Sequence, residues 1–237
     1  MLYLTGDTHG KLDRLKGMTL IGQTVLICGD FGLPWGGQLA ERDTRLLDWL
    51  AARRLARFLF CDGNHENFDL LDKLPVKEWQ SGRVHELRPN VFHLMRGEVF
   101  EIEGLTVFAF GGARSIDKAI RTPHESWWLQ EIPTKSEYEN ALQNLKRVGN
   151  RVDLVVTHAA PQKFLRSEAG KKYRGFETEI RDETSLLLSA IQARIQYKAW
   201  FFGHYHTEWL DRRYRAQCLY QSVVAYDGGG LPGIREK

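Results

Sequence analysis

Apolar residues fall along this chain in short runs, and each run ends in small and polar residues. Leu2-Tyr3-Leu4 leads into Gly6-Asp7-Thr8-His9-Gly10, and the run 24–28 stops at Gly29-Asp30. The run 57–61 stops at Gly63-Asn64-His65-Glu66, and 152–156 stops at Thr157-His158. Ala199-Trp200-Phe201-Phe202 then stops at Gly203-His204-Tyr205-His206. Short continuous apolar runs bounded by turn residues predict buried strands. Between the first three, 11–16 and 39–54 predict helices, the second because Leu46, Leu47, Leu50 and Ala51 recur at helical spacing among charges. Strand-helix-strand-helix-strand order implies parallel pairing with right-handed crossovers. Open sheets of that kind bind ligands beyond the carboxyl ends of their strands, where all five polar tips lie.

The middle of the chain changes character. Runs at 91–95, 99–102 and 105–110, with Gly97 and Gly104 as turns, predict a meander of short strands. An insertion at about 111–135 follows the Gly111-Gly112 pair and carries Arg114, Lys118, Arg121, Trp127 and Trp128. Ser136, with Glu139 three residues on, predicts a helix N-cap, and 138–148 and 184–195 read as helices. Two short strands, 217–220 and 222–225, close the pattern. No repeat, low-complexity segment or linker interrupts 1–237, so the expectation is a single domain.

Composition narrows the class. At 43% hydrophobic and 27% charged residues the chain buries a full core, and a net charge of +3 is too small to argue by itself for nucleic acid or a membrane surface. The basic cluster Lys171-Lys172-Tyr173-Arg174 reads as a solvated face. Cys28, Cys61 and Cys218 lack any Cys-x-x-Cys spacing and are odd in number, which excludes a zinc ribbon or disulfide framework. Free cysteines, and an N-terminus that enters a strand with no signal peptide, predict a cytoplasmic protein. No apolar stretch approaches the roughly 20 residues that span a bilayer.

Five of the eight histidines lie at the strand tips, beside two aspartates and an asparagine. Carboxylate, amide and imidazole converging from separate strands describe one polynuclear metal site. The ordered set Asp7-x-His9, Gly29-Asp30, Gly63-Asn64-His65-Glu66, His158 and Gly203-His204-x-His206 resembles the calcineurin-like metallophosphoesterase family, from the first strand to residue 206. The resemblance implies a four-layer α/β sandwich of two facing mixed β-sheets flanked by helices. It also implies two divalent metal ions: Asp7, His9 and His206 on the first, Asn64, His158 and His204 on the second, and Asp30 bridging. Manganese or iron suits the donor set, with zinc and nickel open. The histidine matching His65 protonates the leaving group in this family, and Glu66 reads either as an orienter of ligands or as a surface residue.

The second motif departs from the family's protein phosphatases, which continue Gly-Asp-x-x-Asp-Arg-Gly. Here Leu33 stands for the second aspartate and Pro34 for the arginine. This departure counts against a protein phosphatase: the expected substrate is a nucleotide or nucleic-acid phosphodiester, with a phosphomonoester, of a small molecule or a phosphoprotein, as the alternative. A non-catalytic binding protein on the same fold is the competing class, and it would have lost metal ligands that are all present here. Arg114, directly after the glycine pair, is the candidate phosphate-contacting cation, against the alternative of a surface arginine. Trp127 and Trp128 offer either base stacking or packing of the insertion onto the domain. His85, His93 and His124 read as structural.

Overall fold

A computed structural model describes residues 1–36, 40–171 and 182–231. The chain runs β1 (Leu2–Thr5), β2 (Thr24–Cys28), α1 (Glu41–Ala51), β3 (Arg57–Cys61), α2 (Phe68–Leu71), β4 (Val76–Trp79), β5 (Gly82–Arg88), β6 (Val91–Leu94), β7 (Glu98–Ile102) and β8 (Leu105–Phe110). It continues with α3 (Lys135–Arg147), β9 (Arg151–Thr157), α4 (Gln162–Leu165), α5 (Glu168–Lys171), α6 (Glu183–Gln192), β10 (Gln196–Phe202), β11 (Trp209–Asp211), β12 (Ala216–Cys218) and β13 (Val224–Tyr226). A seven-stranded sheet has the order β13-β1-β2-β3-β6-β5-β4, and a six-stranded sheet the order β11-β12-β10-β9-β8-β7.

Both sheets are mixed. β1, β2, β3 and β6 pair in parallel in the first, as do β8, β9, β10 and β12 in the second. The strands added at the edges, β13, β5, β4, β7 and β11, pair antiparallel. Three apolar layers hold this together. Leu4, Leu26, Leu59 and Phe92 of one sheet meet Val107, Leu154, Ala199 and Phe201 of the other. On the outer face of the first sheet Val25, Ile27, Phe58 and Phe60 pack under Leu47 and Leu50 of α1. Phe108, Val155, Trp200 and Phe202 pack under Ala141, Leu145, Leu188 and Ile191 of α3 and α6 on the far face. The result is the expected four-layer sandwich. Each central strand is buried on both faces, which is why β2 reads as an unbroken apolar run with every residue buried.

Four expectations need correction. The predicted meander is split: β6 lies in the first sheet and β7 in the second, so the chain crosses between sheets at 95–97. The N-cap of α3 is Thr134, not Ser136; its hydroxyl accepts from Glu137 N and the Glu137 carboxylate accepts from Thr134 N at 2.6 Å. The same capping-box spacing occurs two residues earlier than predicted, and the helix starts with it. The predicted helix at 11–16 is one 3-10 turn, Asp13–Leu15. The strands expected at 217–220 and 222–225 are Ala216–Cys218 and Val224–Tyr226. Leu39, the predicted start of the first long helix, and Lys172–Arg174 of the basic cluster lie outside the described residues.

Candidate metal centre

Because β1, β2, β3, β9 and β10 run parallel within their sheets, their C-terminal tips converge at one edge of the sandwich. The chain must turn sharply there, and it does so at non-glycine positions as well as at glycines such as Gly10 and Gly29. His9, Asp30, His204 and His206 all have positive φ, at 45°, 50°, 70° and 47°. Left-handed backbone on such residues costs on the order of 1–3 kcal/mol each and persists where surrounding structure enforces it. Two glycines make the convergence sterically possible. A Cβ at Gly63 would stand 2.0 Å from Asp30 Oδ1, and one at Gly29, itself at φ +84°, would stand 2.1 Å from His158 Nδ1.

Asp7, His9, Asp30 and His206 present donor atoms within 4.8 Å of one another. His9 Nε2 is 3.0 Å from His206 Nε2 and 3.7 Å from Asp30 Oδ2. The other oxygen of the same carboxylate, Asp30 Oδ1, faces the opposite way, 3.2 Å from His158 Nε2. His158 Nε2 is also 3.1 Å from Asn64 Oδ1, and its ring centroid is 4.9 Å from that of His204. Asp30 therefore stands between two donor sets. Asp7 Oδ2 and His204 Nε2 are buried without a hydrogen-bond partner. Orphaned acceptors of this kind are costly unless a ligand satisfies them, and the mixed carboxylate, amide and imidazole donors fit divalent ions.

Hydrogen bonds fix how these side chains present themselves. His158 Nδ1 donates to Cys28 O at 2.8 Å, which leaves Nε2 turned to the cluster. Asn64 Nδ2 donates to Ser115 Oγ at 3.1 Å, which turns its Oδ1 the same way. Asp7 Oδ1 accepts from His204 N at 2.9 Å, and Asp30 Oδ1 accepts from His65 N at 2.8 Å. Glu66 is fully internal: its carboxylate accepts from Phe31 N at 2.8 Å and Gly32 N at 3.0 Å. That contact braces the turn carrying Asp30 from behind.

Charge at the cluster is uneven. Burial pushes the Asp7 carboxyl up to about 8 against the pull of His158. Burial opposes charge on His158 too, but Asp30 and Asp7 outweigh it and raise the imidazole to about 10. Asp30 is held well below the usual carboxylate range, with His158 and the neighbouring imidazoles overcoming its burial. His9 falls to about 4, and His204 and His206 fall as well, each chiefly through burial. His9, His204 and His206 as neutral imidazoles beside ionised Asp30 are already in the states ligation requires, whereas Asp7 and His158 would each give up a proton to a bound ion.

His65 is mostly buried, its ring edge-on to His9 with 5.1 Å between centroids. Burial, helped by the Arg121 charge against the pull of Asp30, lowers its pKa. Arg121 Nη1 is 3.1 Å from His65 Nδ1 and Arg121 Nη2 is 2.9 Å from His65 Nε2. Arg114 does not take that position. Ala113 and Ser115 are buried while Arg114 between them is exposed, its Nη1 3.5 Å from Glu183 Oε1. Trp128 is buried and edge-on to Trp35, whose ring lies 6.2 Å from His65; it packs the insertion onto the domain. Trp127 is half-buried with Lys118 Nζ 3.9 Å over its ring. His124 is exposed and faces Asp69, while His85 and His93 contact each other at 3.1 Å, His93 also reaching Asp62.

Sequence reasoning gave no role to Ser115, Asp117, Trp35 or Tyr220, and named Arg121 only as a neighbour. Tyr220 stacks on His206 at 4.8 Å between centroids. Arg14 donates to Gly6 O at 2.9 Å, Asp7 O at 3.2 Å and Tyr220 O, tying the first turn to this tyrosine. The signal for these residues is tertiary.

The chain is similar to two proteins named lariat debranching enzyme. The one from Drosophila melanogaster is 24% identical over 231 residues, covering 85% of this chain and 42% of that protein. The one from Schizosaccharomyces pombe is 25% identical over 162 residues, covering 63% of this chain and 33% of that protein. The chain thus spans less than half the length of these relatives. The family model described as calcineurin-like phosphoesterase matches residues 2–208, which takes in all five loaded strand tips; the chain belongs to the calcineurin-like phosphoesterase family.

Proposed function

We propose that residues 1–237 work as one metal-dependent phosphoesterase domain whose substrate is a nucleotide or nucleic-acid phosphodiester. The observation that carries it is Asp30, whose two carboxylate oxygens face two separate donor sets. Asp7, His9 and His206 would hold one divalent ion, and Asn64, His158 and His204 the other, with Asp30 shared. Bound ions would polarise phosphoryl oxygens and make water a nucleophile near neutral pH. Manganese or iron suits this oxygen-and-imidazole set.

The chain's own residues then have distinct work. Asp30 offsets the repulsion between two cations, and Glu66 keeps its turn in place. Ser115 holds the Asn64 amide oxygen toward His158. His65, fixed through its backbone to Asp30 and with its ring edge-on to His9, is the proton donor to the leaving oxygen. The debranching of lariats named for the relatives supports a nucleic-acid diester over a phosphoprotein. Three buried free cysteines suit a reducing compartment such as the cytoplasm. Among the described residues no helix is long and apolar enough to cross a membrane.

The test is hydrolysis by metal-stripped protein reloaded with manganese, iron, zinc or nickel. The panel is p-nitrophenyl phosphate, bis-p-nitrophenyl phosphate, mononucleotides, and linear and branched RNA. Metal-dependent cleavage of diesters in preference to monoesters is expected. Preference for monoesters replaces the reading with a phosphomonoesterase, and no cleavage with any metal replaces it with a binding protein.

A further inference from the structure

The segment after β8 leaves the sheet at the same edge as the cluster, because β8 is parallel to β9 and Phe110 sits opposite Thr157. Within that segment one arginine is held in a way that its own protein contacts do not use up. Arg121 Nε donates to Asp117 Oδ1 at 2.7 Å, and Nη1 donates to Ser126 O at 2.9 Å. The side chain is only 11% exposed. Those two bonds lock the plane of the guanidinium and consume two of its five N–H groups. Of the remaining three, one on Nη1 and one on Nη2 face the two nitrogens of the His65 ring, and a neutral imidazole has one acceptor nitrogen. Two N–H donors on a nearly buried cation are therefore left without an acceptor among the described residues. Glu131 lies behind, its carboxylate buried and close enough to lower its own charge cost through Arg121, yet without a hydrogen bond to it.

We propose that Arg121, aimed by Asp117, is the phosphate-contacting cation of this site; the assignment rests on the phosphoesterase reading above. Two unused N–H donors on one locked, planar cation give phosphoryl oxygens directed partners, where lysine offers a point charge. The position fits. His65 donates its backbone N–H to Asp30 and its ring stands beside His9, so the guanidinium held on that ring borders the cluster. Arriving phosphate takes the two unused donors and leaves the Asp117 and Ser126 contacts intact. The insertion thus supplies a cation that the loop at Leu33-Pro34 does not.

The test measures inorganic phosphate binding by calorimetry, on manganese-loaded and on metal-free protein, with metal content by elemental analysis alongside. Arg121→Ala is expected to weaken phosphate binding by about 10- to 150-fold, the range for losing charge-assisted hydrogen bonds. Arg121→Lys keeps the charge and should fall between the two. Asp117→Asn should weaken binding by about 3- to 10-fold while leaving the melting temperature within a degree or two, since the guanidinium stays but loses its aim. All three should keep the wild-type metal content. Phosphate affinity of Arg121→Ala within twofold of wild type in both states overturns the assignment, as does wild-type protein that binds no phosphate in either. Absence of metal from the wild type instead overturns the phosphoesterase reading, and the metal-free comparison still judges Arg121.

Discussion

Gly63→Ala isolates the convergence on which the site depends. Gly63 is not among the positive-φ positions, so alanine suits its backbone and the effect is steric. The new Cβ would stand 2.0 Å from Asp30 Oδ1, 2.4 Å from Asp30 N and 2.8 Å from Asp30 Cγ. Ordinary contact begins near 3.4 Å, so the Asp30 turn must retreat by about 1 Å or more, and none of the three atoms is free to yield, Oδ1 being held by His65 N. Overpacking of this kind costs about 1–3 kcal/mol, or roughly 2–12 °C in melting temperature for a chain of this size. The larger effect is on function, because a carboxylate shared by two ions moves: a misplacement of about 1 Å costs on the order of 10²-fold in rate. Gly149→Ala is the comparator. At φ +66° with nothing within 4 Å, it carries backbone strain of about 1–2 kcal/mol and touches no ligand. Calorimetry, elemental analysis and kcat/KM on bis-p-nitrophenyl phosphate should show both variants less stable, with only Gly63→Ala losing metal and turnover. A Gly63→Ala protein with full metal content and activity within threefold of wild type refutes the reasoning.

Two further outcomes follow from the same geometry. His65→Gln should keep its metals and lose about 10²–10⁴-fold in kcat, less for p-nitrophenolate than for alkoxide leaving groups; equal losses for both would make His65 a substrate-positioning residue. Glu131, fully buried, has its carboxyl raised from 4.5 to about 7, chiefly by burial. The folded state therefore holds a proton that the unfolded chain releases, so this contribution to stability is intact below about pH 4.5 and is lost as pH rises through 7. Glu131→Gln removes the loss, and its melting temperature should gain on wild type from pH 5 to about 7 and level off above it; a constant difference from pH 5 to 7 contradicts the assignment.

The candidate site was legible because its candidate ligands follow directly on strands buried from both sides. β2, β3, β9 and β10 announce themselves as apolar runs, and the residue after each run is already at the sheet edge. What failed was whatever tertiary context decides. β4 and β5 form an antiparallel hairpin through Gln80 and Ser81, at φ 48° and 73°, but Val76-Lys77-Glu78-Trp79 carries charges on an exposed edge and the turn lacks the usual Asn-Gly signal. The runs at β6 and β7 look like neighbours because only three residues separate them, yet nothing in sequence says that the chain changes sheets between them. Arg114 and Arg121 are seven positions apart in an irregular segment without periodicity. Proximity to the glycine pair favoured the first, whereas the burial of Ala113 and Ser115 on either side turns it outward.

The account's central claim is that Asp30 joins two ions in one site, and metal stoichiometry tests it most directly. Wild-type protein dialysed against manganese should hold about two ions per chain by elemental analysis. Asp30→Asn is nearly isosteric and still accepts the His65 N–H through its amide oxygen, but it removes the negative charge that both donor sets face. Its manganese content should fall well below one ion per chain, with both positions depleted. Two ions retained in Asp30→Asn, or a single ion in the wild type, would contradict the shared-carboxylate site.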